Sequence, residues 1–83
     1  MNRNETIAEL KQIVSQIARI DVSELNDEVR VREEIGIDSL MAMEIVASCE
    51  KRFGIYVDEE QLFNIVTIGD FYNLIVKVSE EKI

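Results

Sequence analysis

The chain has 83 residues, a formal net charge of −8, no histidine, no proline and one cysteine. This length fits one domain, so residues 1–83 are expected to form a single unit. Without histidine the chain cannot supply Ser–His or Cys–His dyads or the usual zinc ligands, and a lone cysteine cannot form an intramolecular disulfide and suits a reducing cytoplasm. The acidic balance argues against nucleic acid binding, and no apolar run is long enough to predict a membrane span.

The negative charge is concentrated in the middle of the chain. Residues 21–60 contain twelve acidic and four basic side chains and so carry the whole net charge of −8, while the remaining residues balance to zero. Two interpretations are open: a solvated surface, and a docking surface for basic partner proteins.

Apolar periodicity predicts helices along most of the chain, and strand alternation is scarcely present. A capping box at Thr6–Glu9, followed by apolar residues that include Leu10 and Val14, predicts a first helix over about 6–19. The segment 20–37 loses this periodicity and is expected to be a long loop. Four apolar side chains are expected to pack it over the helices: Leu25, Val29, Val31 and Ile35.

Three further helices follow this loop. The second is predicted over about 39–53 and is expected to end at Gly54. A short helix over Glu59–Phe63, capped by Asp58, comes next, and a last helix opens with the capping box Thr67–Asp70. Three long helices and one short helix predict an all-α fold, a small four-helix bundle.

The second predicted helix has two apolar faces. A core stripe is formed by Ala42, Ile45, Val46, Cys49 and Phe53. The other face is an apolar strip of three residues at i, i+3 and i+7: Leu40, Met43 and Ala47. Met41 lies apart from both faces, and Glu44 and Glu50 flank the strip and are expected to pair with basic side chains of a partner. The apolar strip either docks on a partner or is covered by the long loop.

Ser39 lies where the long loop becomes the second helix. A helix start leaves backbone N–H groups unsatisfied and tolerates an attached phosphate, and Gly36 lets the chain turn sharply before it. Asp38 can cap the first turn or point outward toward a metal or basic group. No histidine or nearby lysine activates Ser39 as a nucleophile, so it is either an attachment point or a plain cap residue.

Four segments resemble acyl carrier proteins, within a stretch of about residues 6–78. They are Glu34–Leu40, its continuation Met41–Ile45, Phe53–Ile55 and Thr67–Phe71. The resemblance implies a carrier with no catalytic activity of its own. A separate phosphopantetheinyl transferase would use Mg²⁺ and coenzyme A to place a 4′-phosphopantetheine arm on Ser39. Asp38 would help to hold that metal in the transferase complex, and the chain would bind no metal of its own.

The same resemblance implies partners and further site residues. The thiol of the arm would carry acyl groups as thioesters to acyltransferases, ketosynthases or other acyl-handling enzymes with basic docking surfaces. The implied docking residues are Leu40, Met41, Met43, Glu44 and Ala47, and the implied liners of an acyl cavity are Ile45, Val46 and Phe71. The protein is expected to be a cytoplasmic monomer.

One departure bears on the pathway. Met41 stands where carriers of primary fatty-acid synthesis often have an acidic residue, and Met41–Glu44 is more similar to carriers of polyketide or mixed polyketide–peptide pathways. The chain begins with methionine and shows no linker, which predicts a free-standing carrier. The alternatives are a housekeeping fatty-acid or aminoacyl carrier and an unmodified acidic interaction module.

Overall fold

Residues 2–81, which the computed structural model describes, form a bundle of helices. The α-helices are α1 (Arg3–Ala18), α2 (Ser39–Phe53) and α3 (Ile68–Glu81), and two 3₁₀ segments span Val22–Glu24 and Glu59–Asn64. No strand forms among the described residues, where one isolated bridge joins Arg30 and Thr67. The predicted all-α bundle is confirmed, with a 3₁₀ helix as its short fourth member. No helix over these residues combines the length and the apolar character needed to cross a membrane.

The first helix begins earlier than predicted. Asn2 is its N-cap, since Asn2 Oδ1 accepts a hydrogen bond from Glu5 N at 2.9 Å and Asn2 N donates to Glu5 Oε1 at 3.0 Å. Thr6, predicted to be the cap, is buried inside the helix, where its hydroxyl donates to Asn2 O. The prediction was wrong because Asn2 and Glu5 repeat the capping-box spacing one turn earlier, and Asn is among the strongest N-cap residues.

The second helix has the predicted bounds. Asp38 caps it, with Met41 N donating to Asp38 Oδ1 at 2.9 Å, and Gly54 ends it with a positive φ of 64°. Its predicted core stripe is confirmed, because Ile45, Val46 and Cys49 are buried and the other two members are partly buried against the core. The helix therefore turns its core stripe inward, and the apolar strip lies on another face.

The long loop packs over the helices as predicted. Leu25 is fully buried, and the other three predicted anchors are partly buried against the core. The loop backbone is also tied to the start of α3, since Val31 N donates to Val66 O at 3.0 Å and Ile68 N donates to Val29 O at 2.8 Å. These bonds fix the segment that leads to Ser39.

The predicted capping box of the last helix is also confirmed. Asp70 Oδ2 accepts hydrogen bonds from Val66 N and Thr67 N, both at 3.0 Å, and Asp70 N donates to Thr67 Oγ1 at 3.2 Å. Because the Thr67 and Val66 amides stabilise its charged form, the pKa of Asp70 is lowered.

Candidate functional site

Ser39 is exposed at the first position of α2. Ala42 N donates to Asp38 O at 2.9 Å, which is the first hydrogen bond of the helical ladder, so the N–H groups of Ser39 and Leu40 have no partner within the helix. Asp38 Oδ1 accepts from Met41 N, which leaves the second carboxylate oxygen, Oδ2, for another partner. The hydroxyl thus stands at the positive end of a fifteen-residue helix.

The turn before Ser39 depends on Gly36. Its φ is 64°, and a Cβ at this position would meet no atom within 4 Å. Glycine is therefore favoured here by the left-handed backbone conformation and not by a lack of space for a side chain. Ile37 N donates to Val31 O at 2.8 Å, and the Ile37 side chain is buried. Ile37 therefore anchors the turn to the core, while Ser39 stays exposed to solvent.

A partly open cavity of about 270 Å³ lies beside Ser39. It is lined by Val14, Val31, Arg32, Ile37, Asp38, Ser39, Ala42, Met43, Ile45, Val46, Glu59, Leu62, Phe63, Ile65, Ile68 and Phe71. The three predicted liners, Ile45, Val46 and Phe71, are thus brought together. An apolar cavity of ~150 Å³ suffices to bind benzene, so this one has room for a small apolar group.

Two lining residues that the sequence reasoning missed are Phe63 and Arg32. Phe63 is 81% exposed, and with Met43, 59% exposed, it marks the solvent side of the cavity. Arg32 lines this cavity and also a second, more open hollow, which it shares with Gly36, Ile37, Asp38 and Ser39. No spacing in the sequence identifies either residue as a lining residue, because the long loop and the short helix that carry them reach the cavity through tertiary folding.

The apolar strip is exposed. Leu40 and Met43 are 68% and 59% exposed and Ala47 is exposed too, so the alternative that the long loop covers the strip is wrong. Glu44 is exposed beside it. Met41 was predicted to be a docking residue, but it is half-buried and packs against the core.

Glu50 has a role within the chain that the sequence did not predict. Its Oε2 accepts a hydrogen bond from Val57 N at 2.9 Å, and its carbonyl oxygen accepts from Ile55 N at 3.1 Å. The carboxylate therefore holds the chain that follows Gly54. The sequence did not predict this internal bond because the spacing on one helix does not show where the next segment turns, and the pairing of Glu50 with a partner stays a prediction.

The described residues provide neither a cluster of metal ligands nor an accessible thiol at this site. The described residues contain no cluster of three or more histidine, cysteine, aspartate or glutamate side chains arranged to hold a metal ion. Cys49 is fully buried, as predicted, and burial, with a smaller contribution from Glu50, raises the pKa of its thiol to about 12. A nucleophilic role for Cys49 is therefore disfavoured, because the thiolate is the reactive form.

Comparison with known proteins identifies the family. The family model described as "Phosphopantetheine attachment site" matches residues 8–75, which include Ser39 and every residue that lines the cavity. The chain is 33% identical over 76 residues to an acyl carrier protein of Thermotoga maritima, covering 92% of this chain and 94% of that protein. It is 35% identical over 79 residues to an acyl carrier protein of Rhodococcus erythropolis, covering 95% and 87%.

A further relative is named for a polyketide synthase. The Polyketide-8 synthase acyl carrier protein 2 of Streptomyces avermitilis is 33% identical over 67 residues, covering 81% of this chain and 77% of that protein. The family match, these relatives and the exposed serine at the start of α2 agree with one another. The chain belongs to the acyl carrier protein family, whose prosthetic group is 4′-phosphopantetheine.

Proposed function

We propose that Ser39 is the attachment point of the arm and that the chain carries acyl groups on it to partner enzymes without catalysing a reaction itself. The observation that carries this proposal is the position of the exposed Ser39 hydroxyl, at the start of α2 and on the wall of an apolar cavity. When bound, the arm supplies a thiol that holds acyl groups as thioesters. We also propose a cytoplasmic location, where reducing conditions keep that thiol free.

The residues around Ser39 fit an attached phosphopantetheine group. The open space at Gly36 and the unpaired N–H groups of Ser39 and Leu40 leave room and donors for a phosphate. The free Asp38 Oδ2 is a suitable ligand for the Mg²⁺ of a transferase complex. The family comparison and the local geometry therefore support the same group.

Ser39 depends on another enzyme for its modification. The chain has no histidine, and Arg32, the basic residue that lines the surrounding hollow, offers hydrogen-bond donors and no acceptor for the proton. The transferase must therefore take the hydroxyl proton while the Oγ–phosphorus bond forms and the bond to the adenosine bisphosphate of coenzyme A breaks.

The intact mass tests the attachment. The protein is incubated with coenzyme A, Mg²⁺ and a broad-specificity transferase, and we expect one phosphopantetheine increment on the wild type and on Ser23→Ala, a change at another exposed serine. Ser39→Ala should gain none. An unmodified wild type, or an increment that survives Ser39→Ala, would contradict the proposal, and an unmodified wild type would favour the plain interaction module.

We propose the apolar strip and Glu44 as the docking surface for partner enzymes. The strip is exposed beside Ser39, and exposed apolar residues with a neighbouring acid suit an apolar contact rimmed by a partner's basic side chains. Met43→Gln and Glu44→Lys should each raise KM for the transferase roughly fivefold, equivalent to about 1 kcal/mol, with unchanged helix content by circular dichroism. Glu80→Lys, at the end of α3, is the matched control. An unchanged KM in both docking variants would show that the strip is misassigned.

We propose that the cavity shelters the acyl chain, with Ile45, Val46 and Phe71 among its walls. Partial burial should slow thioester hydrolysis for an octanoyl group relative to an acetyl group. Val46→Phe fills part of the cavity and should remove this difference, with folding checked by circular dichroism. Equal hydrolysis rates for the two groups on the wild-type carrier would count against a sheltering cavity.

We further propose a place in polyketide-type specialised metabolism. It is supported by the absence of an acid at Met41 and by the exposed apolar side chains of Leu40, Met43 and Phe63, which suit a less electrostatic partner surface. A polyketide ketosynthase should elongate the acylated carrier with a higher kcat/KM than a fatty-acid synthase ketosynthase does. The reverse order would favour the housekeeping fatty-acid carrier, and loading only by an amino-acid-activating ligase would favour the aminoacyl carrier.

A further inference from the structure

Arg32 is the only basic residue among the described residues that line either of the two hollows beside Ser39. The other charged residues of these hollows are Asp38 and Glu59, both acidic. A phosphodiester attached to Ser39 carries a negative charge, so these carboxylates repel it. Arg32 is thus the one side chain of the hollows with a formal charge that attracts it.

The backbone holds Arg32 in this place. Val31 accepts a hydrogen bond from Ile37 N at 2.8 Å and donates one to Val66 O at 3.0 Å. Val31, the neighbour of Arg32, is therefore bonded to Ile37, two residues before Ser39, and the loop that carries Arg32 is also bonded to the segment before α3. These backbone bonds, together with the side-chain conformation of Arg32, place its side chain in the lining that it shares with Ser39.

The neighbouring charges leave Arg32 available. Arg30 pairs with Glu33 at 4.0 Å, and Arg30 N donates to Glu34 Oε1 at 3.0 Å, so these loop acids already have partners. Arg32 is exposed and makes no ion pair within 4 Å with any residue in the range 2–81. A guanidinium without a carboxylate partner remains free to bind an oxyanion in a bidentate manner.

We propose that Arg32 is a positioning residue that binds the phosphodiester of the arm on Ser39. This inference rests on the proposed attachment at Ser39. Arg32 lines both hollows, so a contact between its guanidinium and the phosphodiester places the first atoms of the arm at the side of the apolar cavity. In this way the loop restrains the arm near the cavity, while docking remains the task of α2.

Nuclear magnetic resonance of the modified protein tests this role without a partner enzyme. Complete modification is first verified by intact mass for the wild type, Arg32→Gln, Arg32→Lys and the control Arg30→Gln. We expect Arg32→Gln to move the ³¹P resonance of the arm more than Arg30→Gln does, and Arg32→Lys to restore part of the wild-type shift. The Arg32 Nε–Hε signal should move between the unmodified and modified wild type, and less so in 1 M salt, where the Debye length is about 3 Å.

The outcomes separate this inference from the proposed function. Failure of the wild type to accept the arm would overturn both proposals. A modified protein whose ³¹P and Arg32 Nε–Hε signals are insensitive to these changes would overturn the role of Arg32 alone. A response of Arg32 that requires a carboxylate-bearing acyl group, such as malonyl, would also overturn it, since the guanidinium would then bind the cargo and not the phosphodiester.

Discussion

Gly69 N donates a hydrogen bond to Asp27 O at 2.9 Å, and a Cβ at Gly69 would stand only 2.8 Å from that same oxygen. The first turn of α3 therefore touches the backbone of the long loop with no room for a side chain. This contact belongs to the group of backbone bonds that holds the loop in front of Ser39. Glycine at this position is required by close approach.

We expect Gly69→Ala to lower the free energy of unfolding by about 1–3 kcal/mol, because the atom that the new methyl meets is backbone and cannot move aside cheaply. Urea unfolding followed by circular dichroism measures the change. Gly36→Ala is the informative comparison, since its φ is 64° but its Cβ would meet no atom within 4 Å. Gly36→Ala should lower the free energy of unfolding by about 1 kcal/mol, because alanine disfavours the left-handed conformation. Gly36→Asn should lower it less, because asparagine tolerates that conformation better. A Gly69→Ala variant as stable as the wild type would refute the close contact.

Tyr72 ties the third helix to the loop from inside the core. Its hydroxyl donates to Leu25 O at 3.0 Å, and the side chain is 1% exposed. Tyr72→Phe leaves the Leu25 carbonyl without this partner and should lower the free energy of unfolding, measured in urea, by about 1–2 kcal/mol. Tyr56→Phe, at an exposed position, should cost far less.

The same residue predicts a pH dependence at the alkaline end. Burial, with a smaller effect of Asp27, raises the pKa of Tyr72 above its ordinary value near 10. The unfolded chain therefore releases this proton first, so the contribution of Tyr72 to stability is complete below about pH 10 and is lost as the pH rises above it. The stability difference between wild type and Tyr72→Phe should shrink over that range. A constant difference would contradict a buried, neutral phenol.

Asp70 predicts a pH dependence at the acid end. Because the pKa of its carboxyl is lowered by the Thr67 and Val66 amides, its contribution to stability is present above about pH 4 and is lost as the pH falls below that value. Asp70→Asn should weaken the loss of stability between about pH 4 and pH 2. Glu80→Gln removes the same charge from an exposed position outside the capping box and serves as the control. Identical acid unfolding curves for wild type and Asp70→Asn would disprove the role of this carboxylate.

Cys49 predicts a clear separation of thiol reactivities. With its pKa raised to about 12 and its side chain fully buried, it should not react with a disulfide reagent in the folded, unmodified protein. Urea should expose one reactive thiol, which Cys49→Ala removes. The modified protein should show one fast thiol in its native state, and that thiol should persist in Cys49→Ala. Fast native labelling of the unmodified wild type would show that the core opens more readily than this packing implies.

The helix bounds that sequence predicts best are those with strong local signals. Asp38 is the N-cap of α2 and Gly54 is its C-cap. Both residue types favour these cap positions by themselves, so the bounds of α2 can be predicted from the local sequence. The start of α1 was predicted wrongly because Asn2 and Thr6 compete as caps within adjacent turns. Local patterns of this kind cannot rank two caps when tertiary burial, here of Thr6, decides between them.

The candidate site also contains residues that the sequence predicted and residues that it did not. The roles of Ser39 and of the cavity walls Ile45 and Val46 were expected from the resemblance to acyl carrier proteins. Helical periodicity predicted only that Ile45 and Val46 share the core face of α2. Arg32, Phe63 and the bond from Val57 to Glu50 depend on how a loop or short helix folds back, which is a long-range property. No spacing rule reports such contacts, so a single sequence did not reveal them.

The backbone bonds between the loop and the start of α3 also limit how the modification site can be transplanted. A peptide cut from residues 20–53 retains Ser39 and its helix but lacks Val66 and Ile68, which hold Val31 and Val29. Such a peptide keeps the bond from Ile37 N to Val31 O but loses the bonds that tie the loop to the start of α3. A tag that keeps the native contacts of the loop before Ser39 therefore has to include the start of α3 as well as the loop and α2.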